Sequence, residues 1–115
     1  MDKVKALLVR ARGPMEVIET DPTPEALQEL LGGEVDLFGP EVGADPLWLG
    51  VRGEEVDAQM KPCNLRADYI AAVFRWAGYD YGDRLHGDVI FMGSDYTNVP
   101  HELLHVMGLI EAAAR

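Results

Sequence analysis

The sequence predicts an α+β fold in one small domain, residues 1–115, with a mixed or antiparallel sheet, two to three helices and an amphipathic helix near its C-terminal end. Three observations lead there. The chain has 115 residues, 48% hydrophobic and 26% charged, which supplies one core and is short for two. Stretches with strand-like alternation are interleaved with stretches of helical spacing, without internal repeats, linkers or low-complexity tracts. A single cysteine, Cys63, excludes an intrachain disulfide and a cysteine-based zinc ribbon, so stability has to come from packing and backbone pairing.

Taken in order, residues 4–11 are β-rich and run into Arg12-Gly13-Pro14, a turn signal, after which residues 15–20 alternate apolar and acidic side chains. A β-hairpin is expected. Thr23 can cap a helix whose first position is Pro24, where the missing N–H costs nothing, and Gly32-Gly33 supplies its stop. Leu27, Leu30 and Leu31 form its inward stripe, with Glu25, Gln28 and Glu29 outward. Residues 34–38 alternate like a half-buried strand, Gly39-Pro40 and residues 43–46 interrupt it, and residues 47–51 resume it as a second hairpin or ladder.

Residues 54–63 read mostly as loop. Asn64 can cap a helix from Leu65 to about Ala77, where Leu65, Tyr69, Ala72, Val73 and Trp76 follow helical spacing and Gly78 ends it. Tyr79-Asp80-Tyr81-Gly82-Asp83 is a polar aromatic turn, and residues 88–92 are a short buried strand ending at Gly93. Pro100 opens a last helix running nearly to Arg115.

Charge narrows the function. Twenty acidic against ten basic residues give a net charge of -10, and the basic residues are scattered, which argues against direct nucleic-acid binding. No stretch approaches the roughly 20 apolar residues that span a bilayer, and the first nine residues lack the apolar run and cleavage site of a secretory signal. A cytoplasmic location without membrane association is therefore expected. The negative charge falls mainly in the first half, from Glu16 to Asp57, where a solvated surface is the commoner explanation, with repulsion of nucleic acid, steering of a basic partner or imitation of a phosphate array as the alternatives.

One motif carries sharp chemistry. His101-Glu102-Leu103-Leu104-His105 is a complete HExxH, the helical pattern in which two histidines bind zinc and the glutamate serves as general base. Gly108 and Glu111 extend it to HExxHxxGxxE, and in this stretch the chain resembles the active-site helix of metzincin-type zinc peptidases. The resemblance implies His101, His105 and Glu111 as metal ligands and Glu102 as the catalytic residue. At about 100° per residue the histidines share a polar face with Gly108, opposite Leu103, Val106, Met107 and Ile110. With four residues given after Glu111, the Met-containing turn of that family is not expected here.

Other residues have plainer readings. His86 precedes Gly87-Asp88 and is expected as a surface histidine, with a third-ligand role as the alternative. Cys63 is expected as a buried, inert thiol. Gly32-Gly33 lacks the lysine and hydroxyl of a phosphate loop, and no nucleophile elbow is present. Tyr79, Tyr81 and Tyr96, with Asp80, Asp83 and Asp95, make an acidic aromatic surface suited to partner binding, centred on Tyr79, Asp80, Tyr81 and Asp83, because tyrosine gives large contact area for little entropy loss; the alternative is a pair of turns with half-buried rings.

A longer resemblance runs through residues 4–9, residues 15–20, Glu25-Ala26-Leu27-Gln28-Glu29-Leu30-Leu31-Gly32-Gly33 leading into Glu34-Val35, Asn64-Leu65-Arg66-Ala67, and the stretch from Gly87 to Gly93. In these pieces the chain resembles domain-of-unknown-function family 3846, small proteins of phages and bacterial mobile elements. The match is closer in the first half, and residues 69–84 look like an insertion. The resemblance implies a phage-type accessory protein, placed in the host cytoplasm, and brings no catalytic residues. The resulting expectation is a non-enzymatic binding protein acting on a host protein or small ligand without a cofactor. A zinc-dependent hydrolase and an acidic nucleic-acid mimic are its alternatives.

Overall fold

Val4–Val9 forms β1 and Met15–Thr20 forms β2, joined through the Arg12-Gly13-Pro14 turn as the alternating pattern requires. The structure is a computed structural model that describes residues 2–38, 48–53, 61–74, 85–105 and 108. Helix α1, Pro24–Leu31, begins with Thr23 Oγ1 accepting the Ala26 N–H at 3.3 Å. It ends at Gly32 in the left-handed conformation, whose N–H donates to the Gln28 carbonyl at 2.8 Å. Strand β3, Val35–Phe38, pairs with β4, Trp48–Gly53, and β5 runs from Val89 to Gly93. Between the last two strands lies α2, Leu65–Phe74. Residues 101–105 and 108 form the described part of a third helix, α3.

The five strands make one antiparallel sheet in the order β2-β1-β5-β4-β3. This is an α+β domain in which the sheet is covered on both faces. Period-two alternation divides the inward side chains between the two faces. Leu7, Val9, Val89 and Phe91 join Ala67, Ile70 and Ala71 of α2 and Leu103 of α3 in one cluster. Ala6, Leu8, Val51, Ile90 and Met92 join Leu27 of α1 in the other, with Leu31 and Tyr96 packed against it. Central β5 is buried along its whole length, which explains why its sequence is a continuous apolar run instead of an alternating one.

Several expectations change. Leu30, assigned to the inward stripe of α1, is exposed, and Leu27 alone of the three leucines is fully buried. Leu65 and Tyr69 follow helical spacing yet point to solvent, because α2 lays Ala67, Ile70 and Ala71 on the sheet instead. The extension of α2 toward Ala77 lies outside the described residues, as does α3 beyond Gly108. After β5 the chain makes a tight excursion, Ser94–Tyr96, where Tyr96 is half-buried as the turn alternative has it: Asp95 (φ 57°) and Tyr96 (φ 60°) are left-handed, and Gly93 and Thr97 pair across its base. A Cβ at Gly93 would collide with Thr97 Oγ1 and the Asn98 carbonyl. Beyond this turn the Val99 N–H donates to the Lys5 carbonyl at 2.8 Å, so the chain rejoins β1 at its first residues.

Candidate functional site

At the opposite end of β1 the chain ties three elements together through Asn64. This side chain is 1% exposed and uses every part of its amide. Its Oδ1 accepts the Ala67 N–H at 3.0 Å, which caps α2. Its Nδ2 donates to the carbonyls of Val9 and Gly87, both at 2.8 Å, and its own N–H donates to the Leu85 carbonyl at 2.7 Å. The expected cap is present, and it also serves as a clamp between the end of β1 and the approach to β5. Asp68, in the first turn, accepts the Leu85 N–H at 2.9 Å. Arg66 donates to the carbonyls of Arg10 (2.7 Å) and Gly13 and so holds the β1–β2 turn against the helix. Arg10 pairs with Glu16 at 2.9 Å and approaches Asp88 at 3.7 Å, while Asp88 accepts the Ala11 N–H at 3.1 Å.

This clamp fixes what the outer side of α2 presents. Leu65 is 68% and Tyr69 55% exposed, one helical turn apart. At the head of the helix stand Lys61 and Cys63, both exposed, with half-buried His86 alongside. Cys63 and His86 face each other in an isolated antiparallel bridge, with Sγ 3.8 Å from Nδ1. Nδ1 also lies 3.0 Å from the Lys61 carbonyl, which can only accept, so Nδ1 carries the proton in that bond. A protonated Nδ1 cannot take the proton of the thiol, so the pair is not arranged as nucleophile and base. The expectation of a buried Cys63 is corrected: Asn64, which has two carbonyls to satisfy, takes the buried position, and Cys63 is turned out.

The HExxH residues lie elsewhere. His101, Glu102 and His105 are exposed on α3 while Leu103 is buried in the core, which is the two-sided arrangement read from the sequence. α3 follows Val99, tied to Lys5, whereas His86 sits near Val9 and Gly87 at the other end of β1. Residues 5 and 9 of one strand are about 13 Å apart. Among the described residues no three histidine, cysteine, aspartate or glutamate side chains gather to hold a metal ion, so His86 does not complete a set with His101 and His105. Glu111, the third ligand implied by the motif, lies outside the described residues, and so do Tyr79, Asp80, Tyr81 and Asp83.

Leu65, Tyr69 and the Cys63–His86 pair were missed by sequence reasoning. For the first two a signal existed: Ala67, Ile70 and Ala71 form a second set at helical spacing, competing with Leu65, Tyr69 and Ala72. For the pair none did, because the two residues are brought together by tertiary structure alone. Among the described residues no helix is long and apolar enough to cross a membrane. No family model, curated protein or solved structure matches this chain.

Proposed function

We propose that this chain is an accessory protein of the phage and mobile-element type that binds a host protein, and that it docks through the outward face of α2. The observation that carries this reading is the exposure of Leu65 and Tyr69 on a helix whose other side is in the core. Large apolar side chains on a rigid support are the usual anchors of protein interfaces, and tyrosine among them gives much contact area for little lost entropy. The Asn64 clamp holds the first turn of α2 in place, so association does not have to order it. Tyr79, Asp80, Tyr81 and Asp83, outside the described residues, are proposed as partner-binding residues from the sequence alone. The source assignment is supported by the sequence resemblance alone.

Photo-crosslinking in host cells tests the surface. A benzoylphenylalanine replacing Tyr69 is expected to give a discrete adduct with one partner, and the same group replacing Glu29, exposed on α1, is expected to give none. Equal adducts from the two positions, or none from either, would remove the reading.

A second reading rests on His101 and His105, which stand one turn apart on the open side of α3 beside Glu102. With Glu111 they would bind zinc, and Glu102 would be the general base of a hydrolase. Elemental analysis of protein purified without a histidine tag decides between the two. Stoichiometric zinc that is lost in His105→Ala supports the hydrolase, and zinc below one tenth of an equivalent sinks it.

A further inference from the structure

Strand β2 is one edge of the sheet, and the direction of its backbone groups follows from those of β1. The Lys5 N–H donates to Asn98 Oδ1 at 2.9 Å and the Lys5 carbonyl accepts the Val99 N–H at 2.8 Å, so Lys5 turns both groups away from β2. Val9 does the same with its carbonyl, which accepts from Asn64. In an antiparallel pair, positions that exchange hydrogen bonds alternate with positions that do not. Val4, Ala6 and Leu8 therefore bond to Thr20, Ile18 and Glu16, while Met15, Val17 and Glu19 point their N–H and C=O groups outward. None of these outward groups has a hydrogen-bond partner among the described residues.

This edge is also complementary to itself. It contains no proline or lysine, its register with β1 runs without a bulge from Met15 to Thr20, and Val17 stands 43% exposed near its middle. Two such strands set antiparallel about a two-fold axis at Val17 place Val17 against its copy, Met15 against Glu19 and Glu16 against Ile18. Outward backbone groups then meet outward groups, and no glutamate stands directly opposite another. Shifting the pairing by one residue would oppose Glu16 to Glu19, but it requires backbone groups that are already spent on β1. The two Glu16 side chains become diagonal neighbours, and each is already paired with Arg10 of its own chain at 2.9 Å.

We propose that two copies of this chain join edge to edge through β2, in an antiparallel pair centred on Val17 that continues one five-stranded sheet into the other. A two-fold contact of this kind uses the same patch on both copies and closes after two. It satisfies the outward groups of Met15, Val17 and Glu19 and covers Val17 with a second β-branched side chain. The net charge of -10 on each copy opposes the association, and salt screens that repulsion. The pairing is independent of the docking face on α2.

Light scattering on the full chain, combined with cysteine cross-linking, tests it. The mass is expected to be twice that of the chain, with the dimer fraction rising as salt is added. Val17→Cys, made together with Cys63→Ser, is expected to form an intermolecular disulfide on mild oxidation, because hydrogen-bonded opposite residues lie about 5.5 Å apart at Cα. Glu19→Cys in the same background is expected to form none, since position 19 faces Met15 and stands at least about 13 Å from its own copy. Val17→Pro removes an outward N–H and spares the bonds to β1, so it is expected to give a monomer with an unchanged circular dichroism spectrum. If that variant fails to fold, the two cysteine variants decide. A monomer at every protein and salt concentration, equal cross-linking at positions 17 and 19, or a dimer retained by folded Val17→Pro overturns the inference. A monomer whose cysteine at position 17 captures a different protein assigns the edge to a foreign strand and overturns it as well.

Discussion

Helices α1 and α2 sit on opposite faces of the same sheet and are held by different means. α1 is closed by its own neighbours: Thr23 caps its start, Pro24 occupies the first position, and Gly32 and Gly33 both donate to the Gln28 carbonyl at its end. Every one of these contacts spans a few residues. α2 is closed by the rest of the molecule, since Asn64, Arg66 and Asp68 reach Val9, Arg10, Gly13, Leu85 and Gly87. The first arrangement makes a helix that is correct locally and depends on Leu27 for its docking. The second makes a platform whose position is shared by a hairpin turn and the entry to β5.

That difference is open to measurement. Asn64→Ala removes the cap of α2 and leaves the Val9 and Gly87 carbonyls without their donor, so urea denaturation should show a loss of about 3–5 kcal/mol. The equivalent change at the other helix, Thr23→Ala, removes one capping bond at a partly solvated site and should cost about 1 kcal/mol. Losses of equal size would erase the contrast. Asp95→Gly is expected to have the smallest effect, with the opposite sign. It relieves a left-handed backbone on an exposed residue next to the α1 cluster and should raise stability by about 0.5–1 kcal/mol in thermal melts. A loss there would mean that the Asp95 carboxylate contributes more than its backbone costs.

The same division explains what the sequence made legible. β1, β2 and α1 were readable because alternation, a proline at the first helical position and a glycine stop all act over short distances. Residues 88–92 were readable as a buried strand from their apolar run, but nothing local says that β5 belongs between β1 and β4. Asn64 was readable as a cap, yet its two donor bonds depend on where Val9 and Gly87 arrive. The outward turn of Leu65 and Tyr69 was obscured by two overlapping periodic sets, of which the one rich in alanine lets the helix lie closer to the sheet. Ser94-Asp95-Tyr96 offers no glycine at its left-handed positions, so the left-handed backbone of the turn that returns the chain to Lys5 had no signature. The candidate docking face was thus missed where burial, and not residue type, decides the role.

Strand order has a kinetic consequence. The hairpin β1–β2 and the pair β3–β4 can each form from nearby residues, but they meet only through β5, whose ladders join Phe91 to Leu7 on one side and to Gly50 on the other. Until residues 89–93 have left the ribosome, a growing chain carries two half-sheets with β1 and β4 as open edges. Such edges are templates for wrong pairing, and contacts between distant positions are slow to form. The sheet therefore cannot close before its central strand is available.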